Sequence, residues 1–153
     1  MSAPLSDFDH ARAVAPAFFD RDPVRVAREL LGMALVRELP GGPRLAARIV
    51  ETEAYDCPRD PSCHVIARLP GAAQALGGPP GRVYFHAVYR HALLNVVCRE
   101  PGVQAAILIR AASPVKPGNR QRSVRLSVDP HRSCRHVVEV EAARRAGHRC
   151  YGR

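Results

Sequence analysis

Apolar residues near the amino-terminal end of the chain recur at the spacing of an α-helix. Asp22 followed by Pro23 is typical of a helix start, with an acidic N-cap and proline at the first helical position. Gly32 supplies a stop signal. Between them lie the apolar positions Val24, Ala27, Leu30 and Leu31. The pattern therefore predicts a helix over residues 22–31.

Five apolar runs bounded by turn residues follow this helix and predict β-strands. They cover residues 33–39, 45–54, 82–89, 93–98 and 104–110. Proline and glycine at 40–43 predict a turn, so the first two strands form a β-hairpin. Because the chain shows neither an internal repeat nor a domain linker, we expect a single α+β domain. It is built round a mainly antiparallel, curved β-sheet with flanking helices.

Three segments lie outside this pattern. Residues 1–16 form an N-terminal extension to a domain spanning residues 17–112. Residues 56–81 are rich in proline and glycine and predict a long loop, which in a compact domain is usually functional. The pattern fails after residue 112, so residues 113–153 are a basic C-terminal segment and an atypical or incomplete part of the fold. Within it, residues 137–146 predict a short helix.

Charge is concentrated in that last segment. The chain has 153 residues, 46% of them hydrophobic, and a formal net charge of +9, which favours a polyanionic partner such as nucleic acid. Residues 1–110 carry a net charge of +2 and residues 111–153 a net charge of +7. The segment is either a phosphate-contacting arm or a poorly structured basic end.

Neither export nor membrane insertion is expected from the sequence. No apolar run approaches the roughly 20 residues that span a bilayer, and the N-terminus lacks the apolar core of a secretory signal. A cytoplasmic protein is the default expectation. The five cysteines form no CxxC pair and match no standard zinc spacing, so reduced thiols are expected.

The most suggestive chemistry lies at the end of the second predicted strand. Glu51, Glu53 and Tyr55 alternate there and should share one face. A carboxylate beside an aromatic ring can activate water next to a stacked ligand, although a solvated polar edge gives the same pattern.

Aromatic and imidazole side chains are clustered in the third predicted strand. They form either a base-stacking platform or part of the core. These side chains are Tyr84, Phe85, His86 and Tyr89. His64 lies in the long loop, and Arg110 ends an apolar strand.

The order of short motifs along the chain resembles the alkyladenine (3-methyladenine, methylpurine) DNA glycosylase family. The resemblance covers about residues 17–112. Its motifs are Phe18-Phe19-Asp20, Leu30-Leu31-Gly32, the RIVETEAY string at 48–55, Leu94-Asn95-Val96-Val97 and Ile107-Leu108-Ile109-Arg110-Ala111.

The resemblance implies two catalytic residues. Glu53 matches the general base that deprotonates a water aligned on the anomeric carbon of the sugar. Arg110 matches an arginine that helps to hold that water.

The resemblance also implies a base pocket and a DNA-intercalating residue. Tyr55 and His64 match residues that flank the flipped-out base, and His86 takes the place of a second stacking tyrosine. Asn95 matches a residue that crowds the exocyclic amino group of guanine. Tyr89 matches the side chain that fills the gap left in the duplex.

A base-excision repair enzyme is the function that the resemblance implies. It hydrolyses the N-glycosidic bond of alkylated or deaminated purines that have flipped out of duplex DNA, and it leaves an abasic site. No metal and no other cofactor is implied. The expected partner is double-stranded DNA with a damaged purine, bound by a monomer that associates with the nucleoid when on DNA.

Two alternatives remain at this point. The first is a catalytically inactive, truncated DNA-binding remnant of the family. It would account for His86, for a loop at 69–73 without the polar residues usual in the family, and for the segment 113–153. The second is a small Cys/His metalloprotein unrelated to repair.

Overall fold

The computed structural model describes residues 12–38, 44–63, 70–88, 91–114, 124–125 and 138–142. The strands within these ranges are β1 (Arg12–Ala13), β2 (Ala34–Glu38), β3 (Arg44–Asp56), β4 (Val83–Val88), β5 (His91–Val97), β6 (Ala105–Pro114), β7 (Val124–Arg125) and β8 (Val138–Ala142). The helices are α1 (Pro16–Phe19), α2 (Pro23–Leu30), a 3₁₀ helix (Pro61–Cys63) and α3 (Pro70–Leu76).

All of these strands belong to one antiparallel sheet. Its order is β1-β8-β2-β3-β6-β5-β4, and β7 pairs with β6 beside this path. The two longest strands, β3 and β6, lie next to each other near the middle. The predicted α+β class with a mainly antiparallel sheet is confirmed.

Helix α2 forms where the sequence predicts it. The Oδ1 atom of Asp22 accepts hydrogen bonds from the backbone N–H groups of Val24 and Arg25, at 3.0 and 3.1 Å. Pro23 stands at the first helical position, and Gly32 after the helix has φ of +86°, a conformation that glycine adopts without strain. These signals limit the helix to two turns.

One face of the sheet packs against α1 and α2 to form the main core. The hydroxyl of Thr52 on β3 donates a 2.9 Å hydrogen bond to the Ala27 carbonyl of α2, which ties the helix to the central strand. The buried residues of this core are Phe19, Val26, Ala27, Leu30, Leu35, Ile49, Leu94, Val96, Cys98, Ala105, Ile107 and Ile109. The opposite face of β3, β4, β5 and β6 is therefore not part of this main core.

Two bulges interrupt the pairing of β3 with β6. Ile49 pairs with Ala112 and Glu51 with Ala111, so Val50 has no partner in the register. Thr52 pairs with Ile109, so Arg110 on β6 has no partner on β3. Each extra residue projects from the ladder. Arg110 is accordingly exposed, although its neighbours on β6 are buried.

Two of the expectations for local structure are wrong. The segment 56–81 is not a loop throughout, because it contains the 3₁₀ helix and α3, whose Leu76 packs against the sheet with Ala106. Residues 138–142 form strand β8 rather than part of a helix, because their backbone pairs with β2 on one side and β1 on the other. The predicted turn at 40–43 lies outside the described residues.

The expectation of reduced thiols is also wrong for one cysteine pair. Cys57 and Cys63 form a disulfide, with Cα atoms 4.8 Å apart, because the 3₁₀ helix returns the chain to the end of β3. Cys98 is a free thiol in the core, and burial raises its pKa to about 12. Cys134 and Cys150 lie outside the described residues.

None of the helices in the described part of the chain is long and apolar enough to cross a membrane.

Candidate active site

Four neighbouring strands align their side chains on the face opposite the main core. Glu53 on β3 pairs with Leu108 on β6, Leu108 with Asn95 on β5, and Asn95 with Tyr84 on β4. Side chains in register across a sheet lie on the same face, and so do alternate residues along each strand. This face is the candidate site, and the pairing brings Glu53 into one row with Asn95.

Each carboxylate oxygen of Glu53 has a polar partner, a guanidinium in an ion pair for one and a hydroxyl donor for the other. The Nη1 atom of Arg110 lies 3.0 Å from Oε1, and the hydroxyl of Tyr55 donates to Oε2 at 2.7 Å. The Arg110 Nε atom lies 3.9 Å from Oε1 of Glu51, so the guanidinium also faces a second carboxylate. The side chain of Glu53 is 37% exposed, which leaves the carboxylate accessible to water.

Tyr55 acts as a donor in this arrangement. Burial first, and then its hydrogen bond to Glu53, raise the pKa of the phenol to about 12. The hydroxyl therefore keeps its proton at neutral pH, and the carboxylate of Glu53 is held between a phenol and a guanidinium. Such a carboxylate keeps its orientation and retains lone pairs for a water molecule.

A pocket of about 370 Å³, which includes space open to solvent, lies beside Tyr55 on the same face. Its polar and aromatic lining is Tyr55, Tyr84, His86 and Asn95. Its remaining lining is Cys63, Leu76, Leu93, Ala106 and Leu108. A largely apolar pocket with a few convergent polar groups suits a flat heterocyclic ring.

The polar side chains of the pocket are held by contacts with their own strands. The hydroxyl of Tyr84 lies 3.1 Å from Nδ1 of His86, and their ring centroids are 6.1 Å apart. The amide nitrogen of Asn95 donates a 3.0 Å hydrogen bond to the carbonyl of Leu93. Burial raises the pKa of Tyr84, so its hydroxyl stays protonated.

The structure thus brings together five of the residues that the sequence singled out. Glu53, Arg110 and Tyr55 form one cluster, and His86 and Asn95 line the adjoining pocket. His64 and Tyr89, the other two candidates, lie outside the described residues.

Sequence reasoning placed Tyr84 in a possible base-stacking platform but did not count it among the residues of the base pocket. The signal was present, because Tyr84 stands two residues before His86 on one strand and must share its face. The contribution of α3 through Leu76 had no comparable signal, since the helix itself was not predicted. Among the described residues, no group of three or more His, Cys, Asp or Glu side chains could hold a metal ion.

Comparisons with known proteins agree with these motifs. The family model for methylpurine-DNA glycosylase matches residues 17–136, beyond the residue at which the recognised motifs end. A Gloeobacter violaceus protein is 50% identical over 108 residues, which cover 71% of this chain and 50% of the relative. A Deinococcus radiodurans protein is 47% identical over 103 residues, which cover 67% and 54%.

A more distant relative gives the same result. A Methanocella arvoryzae protein is 41% identical over 115 residues, which cover 74% of this chain and 57% of the relative. All three proteins carry the name "Putative 3-methyladenine DNA glycosylase". The chain spans about half the length of the curated relatives it matches.

Proposed function

Since the chain belongs to the methylpurine-DNA glycosylase family, we propose that it hydrolyses the N-glycosidic bond of a damaged purine in duplex DNA and leaves an abasic site. The observation that carries this proposal is the carboxylate of Glu53, which accepts a hydrogen bond from Tyr55 and pairs with Arg110, beside a largely apolar pocket with a few polar groups.

Glu53 acts as the general base of this reaction. Its carboxylate takes a proton from a water molecule, and the water oxygen forms a bond to the anomeric carbon of the sugar. The electron pair of the N-glycosidic bond leaves with the base. Because the sugar passes through an oxocarbenium-like state, the negative charge of the carboxylate also stabilises the transition state.

Arg110 and Tyr55 position that carboxylate. Each holds one of its oxygens, at 3.0 and 2.7 Å, so the carboxylate does not have to be oriented at the moment of reaction. We assign Arg110 the additional task of contacting the attacking water through a second N–H group, since a guanidinium has five donors.

The pocket holds the extracted purine. Removing a base from the stack costs a few kcal/mol, and an aromatic residue inserted into the duplex offsets part of that cost. We assign that insertion to Tyr89 and contact with the edge of the base to His64. Tyr55 contacts the face of the base, where an aromatic ring also attracts the positive charge of an alkylated purine.

Double-stranded DNA containing a damaged purine is the proposed partner, bound by a monomer. The net charge of +9 supports contact with phosphates. The intact contacts of Glu53 with Arg110 and Tyr55 support an active enzyme rather than an inactive remnant.

Single-turnover excision from a duplex with one hypoxanthine tests the proposal, with alkaline cleavage to reveal abasic sites. Glu53→Gln keeps the shape of the side chain and removes the base, so excision should fall at least about a hundredfold. Glu100→Gln is the matched control, because the side chain of this glutamate is 57% exposed and lies outside the pocket lining. It should retain most of the activity.

Equal excision by Glu53→Gln and the parent protein would remove this residue from the mechanism. A parent protein that is folded by circular dichroism, binds the duplex and releases no base would identify the chain as a DNA-binding remnant.

A further inference from the structure

A disulfide bond forms part of the wall of the candidate site. Cys57 and Cys63 are bonded to each other, and Cys63 lines the pocket beside Tyr55. We propose that this pair is a reversible thiol–disulfide exchange site, which takes a dithiol as its reductant and sets the excision rate by its oxidation state. The inference rests on the proposed function, because it names a form of regulation of the same site.

The proposed substrate determines the chemistry to which this disulfide is exposed. A protein that acts on DNA works in a compartment where thiol reductants keep most cysteines reduced. A disulfide that forms there is usually transient, as in catalytic and redox-sensing pairs. We therefore expect the bond between Cys57 and Cys63 to open and close rather than to persist.

The pocket provides the route by which a small dithiol reaches the bond. Cys57 and Cys63 are buried, with 3% and 1% of their surface exposed. Cys63 nevertheless borders the pocket, whose volume of about 370 Å³ includes space open to solvent. The sulfur of Cys63 is therefore the one that we expect a dithiol to attack.

The exchange step conserves atoms and electrons. A thiolate of the dithiol attacks the Cys63 sulfur, the bond between the two cysteines breaks, and Cys57 leaves as a thiolate. The second thiol of the reductant then displaces Cys63 and closes the reductant's own disulfide. Two electrons and two protons pass from the dithiol to the cysteines, which both end as thiols.

Other contacts hold the segment between the two cysteines, so reduction should loosen this segment without unfolding it. The Asp56 carbonyl accepts hydrogen bonds from the backbone N–H groups of Arg59 and Asp60, at 2.8 and 2.7 Å. The N–H of Cys63 donates to the Asp60 carbonyl at 3.1 Å. The Nη1 atom of Arg59 also lies 3.4 Å from Oδ2 of Asp22. The change on reduction is therefore local to the pocket wall.

One aromatic ring connects the disulfide to the proposed general base. Cys57 and Cys63 belong to the buried cluster against which the Tyr55 ring packs. The hydroxyl of the same ring donates the 2.7 Å hydrogen bond to Glu53. Two separate thiols need more room than a bonded pair, and a close-packed cluster accommodates them only by moving its neighbours. Reduction should therefore displace Tyr55 and, with it, the carboxylate of Glu53.

Peptide mapping by mass spectrometry establishes the oxidation state before any rate is measured. Arg59 lies between the two cysteines, so trypsin places Cys57 in the peptide 49–59 and Cys63 in the peptide 60–68. The two peptides should be linked in air-oxidised protein and should separate after treatment with dithiothreitol. Peptides that are never linked overturn the inference.

Single-turnover excision of hypoxanthine then compares the two states of the parent protein. Excision should fall about tenfold on reduction and recover on reoxidation, since a shift of about 1 Å in a catalytic group lowers a rate up to about a hundredfold and this shift is transmitted through Tyr55. The double variant Cys57→Ala/Cys63→Ala should have the same rate with and without dithiothreitol. Cys98→Ala changes a buried thiol outside the pocket lining, so it should keep the ratio of the parent protein.

The tyrosines provide a measurement that does not depend on excision. The chain has four tyrosines and no tryptophan, so near-ultraviolet circular dichroism reports the packing of Tyr55 and Tyr84 against the disulfide cluster. If the parent protein excises no base, the proposed hydrolysis fails. A tyrosine band that weakens reversibly on reduction then supports the inference, and an unchanged band overturns it. Equal excision by the oxidised and reduced states of an active parent protein also overturns the inference and leaves the proposed hydrolysis standing.

Discussion

Replacing Arg110 with methionine should damage activity far more than stability. The Arg110 side chain is 42% exposed and its Glu53 partner 37%, so solvent screens their attraction although the atoms lie 3.0 Å apart. Pairs this exposed contribute about 0–1 kcal/mol to folding. For a chain of this length, Tm should therefore fall by no more than about 4 °C. Methionine also retains an apolar stem of similar length.

The effect on excision has a different origin. Without Arg110 one oxygen of Glu53 loses the ion-pair partner that orients it, and the attacking water loses its proposed contact. A displacement of about 1 Å in a catalytic group lowers a rate about a hundredfold, which is the loss we expect. Single-turnover excision of hypoxanthine measures the rate, and thermal unfolding followed by circular dichroism measures the stability.

Arg25→Met provides the control for this experiment. It removes an ion pair of the same length, between Arg25 Nε and Glu29 Oε1 at 3.0 Å, from the surface of α2. We expect a similar small change in Tm and no change in excision. The reasoning is refuted if Arg110→Met excises hypoxanthine as fast as the parent protein. It is also refuted if Arg25→Met loses excision to the same extent.

Two further predictions concern stability. Leu30→Ala should cost about 2–5 kcal/mol in urea denaturation because Leu30 is fully buried. Leu31→Ala, at a neighbour that is 43% exposed, should cost under about 1 kcal/mol, and equal costs would show that α2 does not pack as described. The folded-state pKa of Tyr55 is raised to about 12, so its stabilising contribution is complete below about pH 10 and is lost as the pH rises towards 12. Urea titrations between these pH values should show a shallower decline for Tyr55→Phe, and identical slopes would contradict the assigned contacts.

The parts of the fold that the sequence predicts are those with a strong local period. Helix α2 has apolar residues at helical spacing and a complete set of capping signals. Strands β2 to β6 are apolar runs between turn residues. By contrast, α3 is short and alanine-rich, and it begins at Pro70-Gly71, so local signals do not distinguish it from a loop. Strand β8 forms because the edge of β2 is available to pair with it, which is a tertiary effect.

The candidate site likewise contains one part that the sequence predicts and another part that depends on the folded structure. Alternation along β3 places Glu53 and Tyr55 on one face, and the sequence alone is sufficient for that. The contact of Arg110 with Glu53 depends on a bulge, which shifts a side chain by one position and leaves no local signal. The bond between Tyr84 and His86 depends on side-chain direction within a folded pocket.

The two bulges also make the lengths of β3 and β6 depend on each other. Between the pairs Ile49–Ala112 and Thr52–Ile109 each strand advances by three residues, so the extra residue on one strand compensates for the extra residue on the other. Deleting Val50 alone would leave the extra residue Arg110 without its counterpart, so the two strands would advance unequally and the local bend and twist of β3 against β6 would change. The backbone at position 50 therefore matters whatever its side chain, and a matched deletion of one residue from each strand should disturb the sheet less than a deletion from one strand alone.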